Sequence, residues 1–163
     1  MGLPPTHLYL RTLITVFHGD DVLLIYREQP PDAGYWNFLG GKVDVGEDPL
    51  EGAQRELREE SGIEATLEFR GVATAIARST GEHWALFLFS GHVSDRRIVA
   101  SSEGPLRWVT PDEVAALPVW PDIPILLPHM RDPARVILAK FTYTTPDPGT
   151  LEVPATRVST YHG

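Results

Sequence analysis

The chain has 163 residues, of which 42% are hydrophobic and 22% charged, and it carries a net charge of −8. This length and composition fit one globular domain with room for a sizeable core. An acidic chain without a basic stripe argues against a DNA or RNA polymer as the partner. Because there is no cysteine, the sequence excludes disulfides, thiol catalysis and a cysteine zinc site.

The chain also shows no sign of membrane insertion or export. No apolar run approaches the roughly 18 residues that a membrane span needs. The first 17 residues lack the layout of a signal peptide, because Arg11 interrupts their apolar part. We therefore expect a cytoplasmic protein with no membrane partner, existing as a monomer or a homodimer.

The first predicted elements form a β-hairpin. Residues 8–18 and 22–27 are rich in β-branched and aromatic residues, and Gly19-Asp20-Asp21 between them is typical of a tight turn. Residues 28–35 contain two prolines and a glycine, which predict an irregular loop. The short apolar run 36–39 then leads into a glycine-rich and acidic stretch.

That stretch predicts a helix from residue 49 to residue 61. Asp48 is a good N-cap, Pro49 suits the first helical position, and Gly62 is typical of the residue that ends a helix. One helical stripe predicted to face the core contains Leu50, Ala53 and Leu57. A different face carries three glutamates at positions i, i+3 and i+4, namely Glu56, Glu59 and Glu60.

Three glutamates on one helical face repel one another and weaken an isolated helix. A bound cation would remove this penalty, and carboxylate oxygens suit Mg²⁺, with Mn²⁺ as a substitute. The alternative is a solvated acidic helix, the common meaning of a run of charges. That alternative explains neither the glycines nor the spacing.

After this helix the pattern returns to strands. Residues 65–77 have strand composition with a glycine break, and the more apolar run 83–93 is predicted to be the central strand. Residues 106–109 form a short predicted strand. Thr110, Pro111 and Glu113 then predict a capped helix. A further helix is predicted at 123–130. A closing hairpin is predicted from the two runs 136–143 and 150–158, and Pro154 marks its last strand as an edge strand.

Residues 41–63 also match a known motif. Gly41, Glu47 and the run from Arg55 to Ile63 follow the pattern G-x5-E-x7-R-E-U-x-E-E-x-G-U, in which U is aliphatic. This pattern is that of the Nudix box, so the chain resembles the Nudix hydrolases. The resemblance implies one Nudix domain over residues 1–163, an α/β/α sandwich with a mixed sheet, and its C-terminal hairpin at about 136–158.

The resemblance further implies metal-dependent hydrolysis of a nucleoside diphosphate-linked substrate. It implies that Glu56, Glu59, Glu60 and a loop glutamate, Glu103, bind the metal. Glu82 is an alternative to Glu103 as the glutamate outside the helix that binds metal. Glu103 could instead be an ordinary surface residue. The candidates for the general base are Glu60 and Glu103, with Glu59 as a further catalytic residue.

Other positions of the box are expected to support the site. By the resemblance, Glu47 and Arg55 form an ion pair that holds the loop 41–47 against the helix, and Gly62 ends that helix. Gly52 is expected to leave space for incoming phosphates. Gly41 is assigned to substrate binding. Arg27, at the end of the second strand, is predicted either to contact the substrate or to be a solvated surface residue.

A weaker resemblance over residues 8–158 concerns the base. Asn37 and the Trp120-Pro121-Asp122 run are similar to the branch that hydrolyses oxidised purine nucleoside triphosphates, such as 8-oxo-dGTP. It implies that Asn37 and Asp122 bond the base and that Trp120 stacks on it. An indole suits a purine face, and an amide and a carboxyl group suit its edges. Ile123 departs from the branch, which can carry a second Asp there.

Several functions remain open on these residues. Trp36, which precedes Asn37, and Trp120 are compatible with core packing, and Asn37 with shaping the following turn. Nudix substrates also include ADP-ribose, dinucleoside polyphosphates, nucleotide sugars and pyrimidine nucleotides. A nucleotide-binding regulator on the same fold is the non-enzymatic alternative, although such a protein would be expected to lose glutamates that this chain retains.

Overall fold

The computed structural model describes residues 7–30 and 32–163. Pro31, in the predicted loop 28–35, and the first six residues lie outside the described residues. Eight strands form one mixed sheet, in the order β3-β2-β1-β5-β4-β7-β8 with β6 beside β2. The strands are β1 His7–His18, β2 Asp21–Tyr26, β3 Trp36–Asn37, β4 Glu68–Ala77, β5 Glu82–His92, β6 Leu106–Val109, β7 Arg135–Tyr143 and β8 Arg157–His162.

In the part of the chain that the structure describes, three α-helices accompany the sheet: α1 Pro49–Ser61, α2 Pro111–Ala116 and α3 Asp122–Met130. One buried cluster joins α1 to one sheet face, and the other joins α2 and α3 to the opposite face. This arrangement follows from β1, where alternate side chains enter different clusters because a strand turns successive residues to opposite faces. The predicted α/β sandwich with a mixed sheet flanked by helices is confirmed.

The parallel pairs place β5 in the middle of the sheet, as predicted. It pairs with β1 in parallel and with β4 in antiparallel register, while β4 pairs with β7 in parallel. The glycine break in β4 is confirmed as a register shift between Phe69 and Gly71. A Cβ on Gly71 would lie 1.9 Å from the carbonyl oxygen of Ile137, so only glycine fits beside β7 there.

Two predictions about elements are wrong in detail. The last strand was predicted at 150–158, whereas 3₁₀ turns occupy Pro148–Thr150 and Val153–Ala155 and the strand begins at Arg157. Pro154 therefore lies in a turn, because proline fixes φ and removes a donor that a ladder would use. Leu50 is 38% exposed and does not share the buried stripe of Ala53 and Leu57.

Within the described residues, α1 is the longest helix with 13 residues, and no helix is long and apolar enough to cross a membrane.

Candidate active site

Helix α1 begins and ends as its sequence predicts. The side chain of Asp48 accepts from the backbone of Glu51, whose carboxylate accepts in turn from the backbone of Asp48, and Pro49 follows the cap. At the other end Gly62 has φ of +72°, which glycine adopts without a Cβ penalty. The helix is thus held at both ends, and its glutamate face has a defined position.

Three carboxylates meet beside this helix, and we call Glu56, Glu60 and Glu103 the carboxylate cluster. One ligand oxygen from each lies within 4.8 Å of the others. Glu56 and Glu60 are buried on α1, and Glu103 reaches them from the exposed loop before β6. Glu59 lies outside this group, with its carboxylate 3.2 Å from Arg55 Nη1. Glu82 lies elsewhere, in a cavity that Trp84 and Trp120 also line.

The guanidinium of Arg27 connects two members of the carboxylate cluster. Its Nη1 lies 3.0 Å from Oε2 of Glu103 and 3.1 Å from Oε2 of Glu60. Its Nη2 donates to the carbonyl oxygen of Gly40 at 3.2 Å. Arg27 therefore lies in the site that the sequence suggested, but its charge faces the protein's own glutamates.

The raised pKa values of the carboxylate cluster indicate that it would be stabilised by additional positive charge. Burial raises the pKa of Glu60 to about 8, with Glu103 and Glu56 adding repulsion that Arg27 and a Gly40 hydrogen bond oppose. Burial also raises the pKa of Glu56. The second oxygen of Glu60, Oε2, is buried and meets no hydrogen-bond geometry among the described residues, and it lies against Arg27 Nη1 in an ion pair that Glu103 shares. Buried carboxylates in this state suit a hard cation.

Two glycines of the loop after β3 fit closely against this cluster. The backbone N–H of Gly40 donates to Oε1 of Glu60 at 2.7 Å, and a Cβ on Gly40 would lie 2.0 Å from the carbonyl oxygen of Thr12. A Cβ on Gly41 would lie 2.6 Å from the carboxyl carbon of Glu56. Glycine at position 40 therefore lets the loop pass close to the backbone of β1, and glycine at position 41 leaves space for the carboxylate of Glu56.

The expected space at Gly52 is filled by the protein itself. A Cβ on Gly52 would lie 3.0 Å from Oε2 of Glu47 and 3.5 Å from Val43. Gly52 is buried against the loop 41–47. The prediction that it clears a path for phosphates is wrong, since its role is to let this loop pack on the helix.

The expected ion pair between Glu47 and Arg55 is present. Arg55 Nε lies 2.6 Å from Oε1 of Glu47, and its Nη2 donates to the carbonyl oxygen of Lys42 at 3.0 Å. The same guanidinium contacts Glu56 and Glu59 at 2.9 and 3.2 Å. The Arg55 hydrogen bond lowers the pKa of Glu47. One guanidinium thus joins the loop 41–47 to the carboxylate face of α1.

A cavity of about 430 Å³ opens on the α3 side of the sheet. Its floor comes from β1 and β5, through Tyr9, Arg11, Leu13, Glu82, Trp84 and Leu86. Asn37, Trp120 and Asp122, which the sequence assigned to base binding, all line it. Lys42, directly after the Gly41 that packs on Glu56, also lines this cavity, so the cavity neighbours the carboxylate cluster.

Each of the three assigned residues has a specific environment. Asn37 Oδ1 accepts from the backbone of Phe38 at 2.8 Å, which directs its amide NH₂ away from that contact. Trp120 Nε1 donates to the hydroxyl of Tyr143 at 3.1 Å. Burial, with a smaller contribution from the charge of Asp32, raises the pKa of Asp122 to about 7, and Oδ1 of Asp122 has no hydrogen-bond partner among the described residues.

Some residues that line the cavity carry no signal in the sequence. Tyr143 and Asp32 lie in β7 and in the loop after β2, far from any motif, and only the folded chain brings them to Asp122. Tyr35, also in that loop, packs edge-on against Trp120, with ring centroids 6.0 Å apart. Ile123, the departure from the branch, is fully buried in the core. Asp32 therefore supplies a second carboxyl group from another element.

The fold and this site are those of the Nudix family. The family described as the NUDIX domain matches residues 8–130, and the chain belongs to it. It is 34% identical to the oxidized purine nucleoside triphosphate hydrolase of Mus musculus over 123 residues, 72% of this chain and 79% of that protein. It is 38% identical to the CTP pyrophosphohydrolase of Escherichia coli over 109 residues, 64% of this chain and 78% of that protein.

A solved structure agrees with these relatives. The crystal structure of a MutT protein from Bacillus halodurans superposes with a TM-score of 0.76 at 29% identity, covering 93% of this chain and 97% of that one. The protein is therefore a Nudix hydrolase, an enzyme that acts on pyrophosphate bonds.

Proposed function

We propose that the enzyme hydrolyses an oxidised purine nucleoside triphosphate, such as 8-oxo-dGTP, to the monophosphate and pyrophosphate. The observation that carries this proposal is the cavity beside the carboxylate cluster. It is lined by an indole, an amide and a buried carboxyl group, from Trp120, Asn37 and Asp122. Its volume suits a base, since small-molecule sites usually enclose about 300–1,000 Å³. The relative from Mus musculus, which carries this activity in its name, supports the same substrate class.

The carboxylate cluster is fitted to hold the divalent cation that Nudix hydrolases use. Its three carboxylates, two of them buried and with a single guanidinium shared between Glu60 and Glu103, favour Mg²⁺, with Mn²⁺ as a substitute. We assign Glu56, Glu60 and Glu103 as ligands, and Glu59 as a further ligand on the same helix. When bound, the metal would neutralise phosphate charge and lower the pKa of a water molecule.

The chain's own residues would then orient the reactants and accept a proton. A water oxygen attacks phosphorus, the anhydride P–O bond between the monophosphate and pyrophosphate breaks, and the water proton passes to a glutamate. Glu103 is the base that we favour, because its loop position is exposed. Glu60 is fully buried and held by Gly40 and Arg27, which suits a positioning role.

The base would be recognised on its face and on its edges. Trp120 is held by its hydrogen bond to Tyr143 and offers a π face for stacking. The amide NH₂ of Asn37 can donate to an acceptor on the base. Asp122, buried and with an unpartnered oxygen, can bond a base N–H. Binding would thus satisfy a polar group that otherwise remains buried and unpaired.

A pyrimidine nucleotide is the second candidate, since the relative from Escherichia coli is named for CTP. A substrate panel separates the two. Pyrophosphate release with Mg²⁺ would be measured for 8-oxo-dGTP, 2-oxo-dATP, the four common deoxynucleoside triphosphates, CTP, ADP-ribose and a dinucleoside polyphosphate. We expect the highest kcat/KM for an oxidised purine. A higher value for CTP, or activity confined to ADP-ribose, would overturn the proposed substrate.

Variants of the cavity sharpen this test. Asp122→Asn should lower kcat/KM for 8-oxo-dGTP by roughly tenfold or more, the scale of a hydrogen bond to a charged group. The exposed Asp112→Asn at the start of α2 is the matched control and should leave every substrate unchanged. If Asp122→Asn left the preference among substrates unchanged, the assignment of base recognition to this cavity would be wrong.

A further inference from the structure

Arg11 is a cationic side chain on an otherwise largely apolar cavity floor. It lies on β1 between Tyr9 and Leu13, which share its face because alternate strand residues point the same way. On the neighbouring strand its partner in register is Leu86, which also lines the cavity. The sequence pattern alone offered no reason to single it out.

The guanidinium of Arg11 has a donor without a partner. Its Nε is buried without a hydrogen-bond acceptor among the described residues, and the side chain as a whole is half-buried on the cavity lining. A guanidinium carries five N–H donors and cannot be deprotonated in a protein. Leaving a buried polar group unpaired is unfavourable, so the arrangement calls for an acceptor supplied from outside.

The location of Arg11 indicates which part of a substrate supplies that acceptor. Arg11 lines the cavity together with Asn37, Trp120 and Asp122, whereas Glu56, Glu60 and Glu103 are not among the lining residues. Arg11 therefore belongs to the end of the site that would hold the base, and the carboxylate cluster to the end that would hold the phosphates.

We propose that Arg11 is a substrate-binding residue whose guanidinium donates hydrogen bonds to a carbonyl oxygen of the base. This inference rests on the proposed function for the location of the base. Asp122, on α3, also lines the cavity and offers an acceptor to a base N–H, so Arg11 and Asp122 together select a base whose edges carry both a carbonyl oxygen and an N–H group. Adenine has no carbonyl oxygen and offers Arg11 only ring nitrogens as acceptors, so it should gain less from this contact.

Binding of monophosphates without metal tests this, because it needs no turnover. Calorimetric titration would compare 8-oxo-dGMP, dCMP, dAMP and ribose 5-phosphate with the wild type and with Arg11→Leu. We expect Arg11→Leu to lose roughly ten- to a hundredfold in affinity for 8-oxo-dGMP, and less than about twofold for dAMP. Arg157→Leu, which removes the same charge from exposed β8, should bind like the wild type.

Two further measurements separate binding from folding. Arg11→Leu should unfold at a temperature no lower than that of the wild type, since leucine suits the apolar floor. Arg11→Gln keeps an amide donor and should show an intermediate loss of affinity. The proposal would be overturned if Arg11→Leu failed to fold and Arg11→Gln bound 8-oxo-dGMP as tightly as the wild type.

The remaining outcomes are equally decisive. Equal losses for 8-oxo-dGMP, dAMP and ribose 5-phosphate would show that Arg11 binds the phosphate and would overturn the proposal, as would no loss at all. If the wild type bound dCMP in preference to 8-oxo-dGMP, the proposed substrate would fail, whereas a loss of dCMP affinity in Arg11→Leu would still support the role of Arg11. A wild type that bound no nucleotide would overturn both.

Discussion

The guanidinium of Arg27 lies 3.1 Å from the buried carboxylate of Glu60, at the point where the loop after β2 meets helix α1. The two residues are 33 positions apart, so no local pattern connects them. Arg27 also binds Glu103 and the carbonyl oxygen of Gly40, and so it joins every segment that forms the carboxylate cluster. Even with this cation present, burial keeps the pKa of Glu60 at about 8.

The first prediction concerns Glu60→Gln. Because the folded-state pKa of Glu60 lies above its ordinary value, ionising this carboxyl group destabilises the metal-free fold as pH rises from about 4.5 to about 8. Glutamine removes that penalty. With a chelator, Glu60→Gln should equal the wild type in free energy of unfolding near pH 4.5 and exceed it by roughly a few kcal/mol at pH 8.

The same variant should lose most of its activity. Because Glu60 is an assigned metal ligand, we expect turnover with Mg²⁺ to fall by roughly two to four orders of magnitude, which corresponds to a loss of several kcal/mol of transition-state stabilisation. Chemical denaturation at both pH values and steady-state kinetics measure the two effects. The exposed Glu68→Gln is the control for a carboxyl group outside the site. A stability difference that did not change with pH, or near-normal turnover, would contradict the role assigned to Glu60.

The second prediction contrasts two adjacent glycines. Gly40→Ala should destabilise the fold by roughly 2 kcal/mol or more, because φ is +133° and the new Cβ would meet the backbone of Thr12. Gly41→Ala meets only the end of the Glu56 side chain. It should fold and yet need more Mg²⁺ for half-maximal rate. Gly149→Ala, in the distant 3₁₀ turn, serves as the control; equal unfolding temperatures for the first two variants would contradict this contrast.

The third prediction tests the Arg55 ion pair through Arg55→Lys. Lysine keeps the charge but cannot replace the fork that contacts Glu47 and the carbonyl oxygen of Lys42 together. The loop 41–47 should then shift relative to α1, and kcat/KM should fall roughly ten- to a hundredfold. Arg97→Lys, in an exposed pair with Asp95, should have no effect. Equal values of kcat/KM for the two variants would show that the loop 41–47 does not support the active site.

The fourth prediction concerns how Trp120 is held. Tyr143→Phe removes the hydroxyl that accepts from Trp120 Nε1 and leaves the indole N–H unpaired. A lost neutral hydrogen bond costs about 1 kcal/mol, which corresponds to a roughly fivefold rise in KM for the nucleotide. We expect kcat to stay within about twofold, because the change lies away from the carboxylate cluster. The exposed Tyr161→Phe is the control, and a fall in kcat with constant KM would place Tyr143 in a different role.

Much of the fold was predictable because its signals are local. Caps at Asp48 and Thr110, glycine at position 62 and the alternation along β1 each depend on neighbours within a few residues. The last strand was misplaced because its composition suited a strand from residue 150, whereas Pro154 and the turn before Leu151 divert the chain into 3₁₀ turns. Leu50 was assigned to the core from helical periodicity, which does not reveal how far the facing sheet extends.

By itself, the sequence determined the helix that carries Glu56, Glu59 and Glu60, the glycines around it and the family to which the chain belongs, since the spacing of residues on one helix follows from its geometry alone. The tertiary structure alone decided that Glu103, and not Glu82, joins Glu56 and Glu60, that Arg27 binds two of these glutamates, and that Gly52 packs on Glu47. It also decided which residues line the cavity, Arg11 and Tyr143 among them. The physical reason is that these contacts join residues from different strands, helices and loops, whose proximity depends on the order and register of the strands in the sheet.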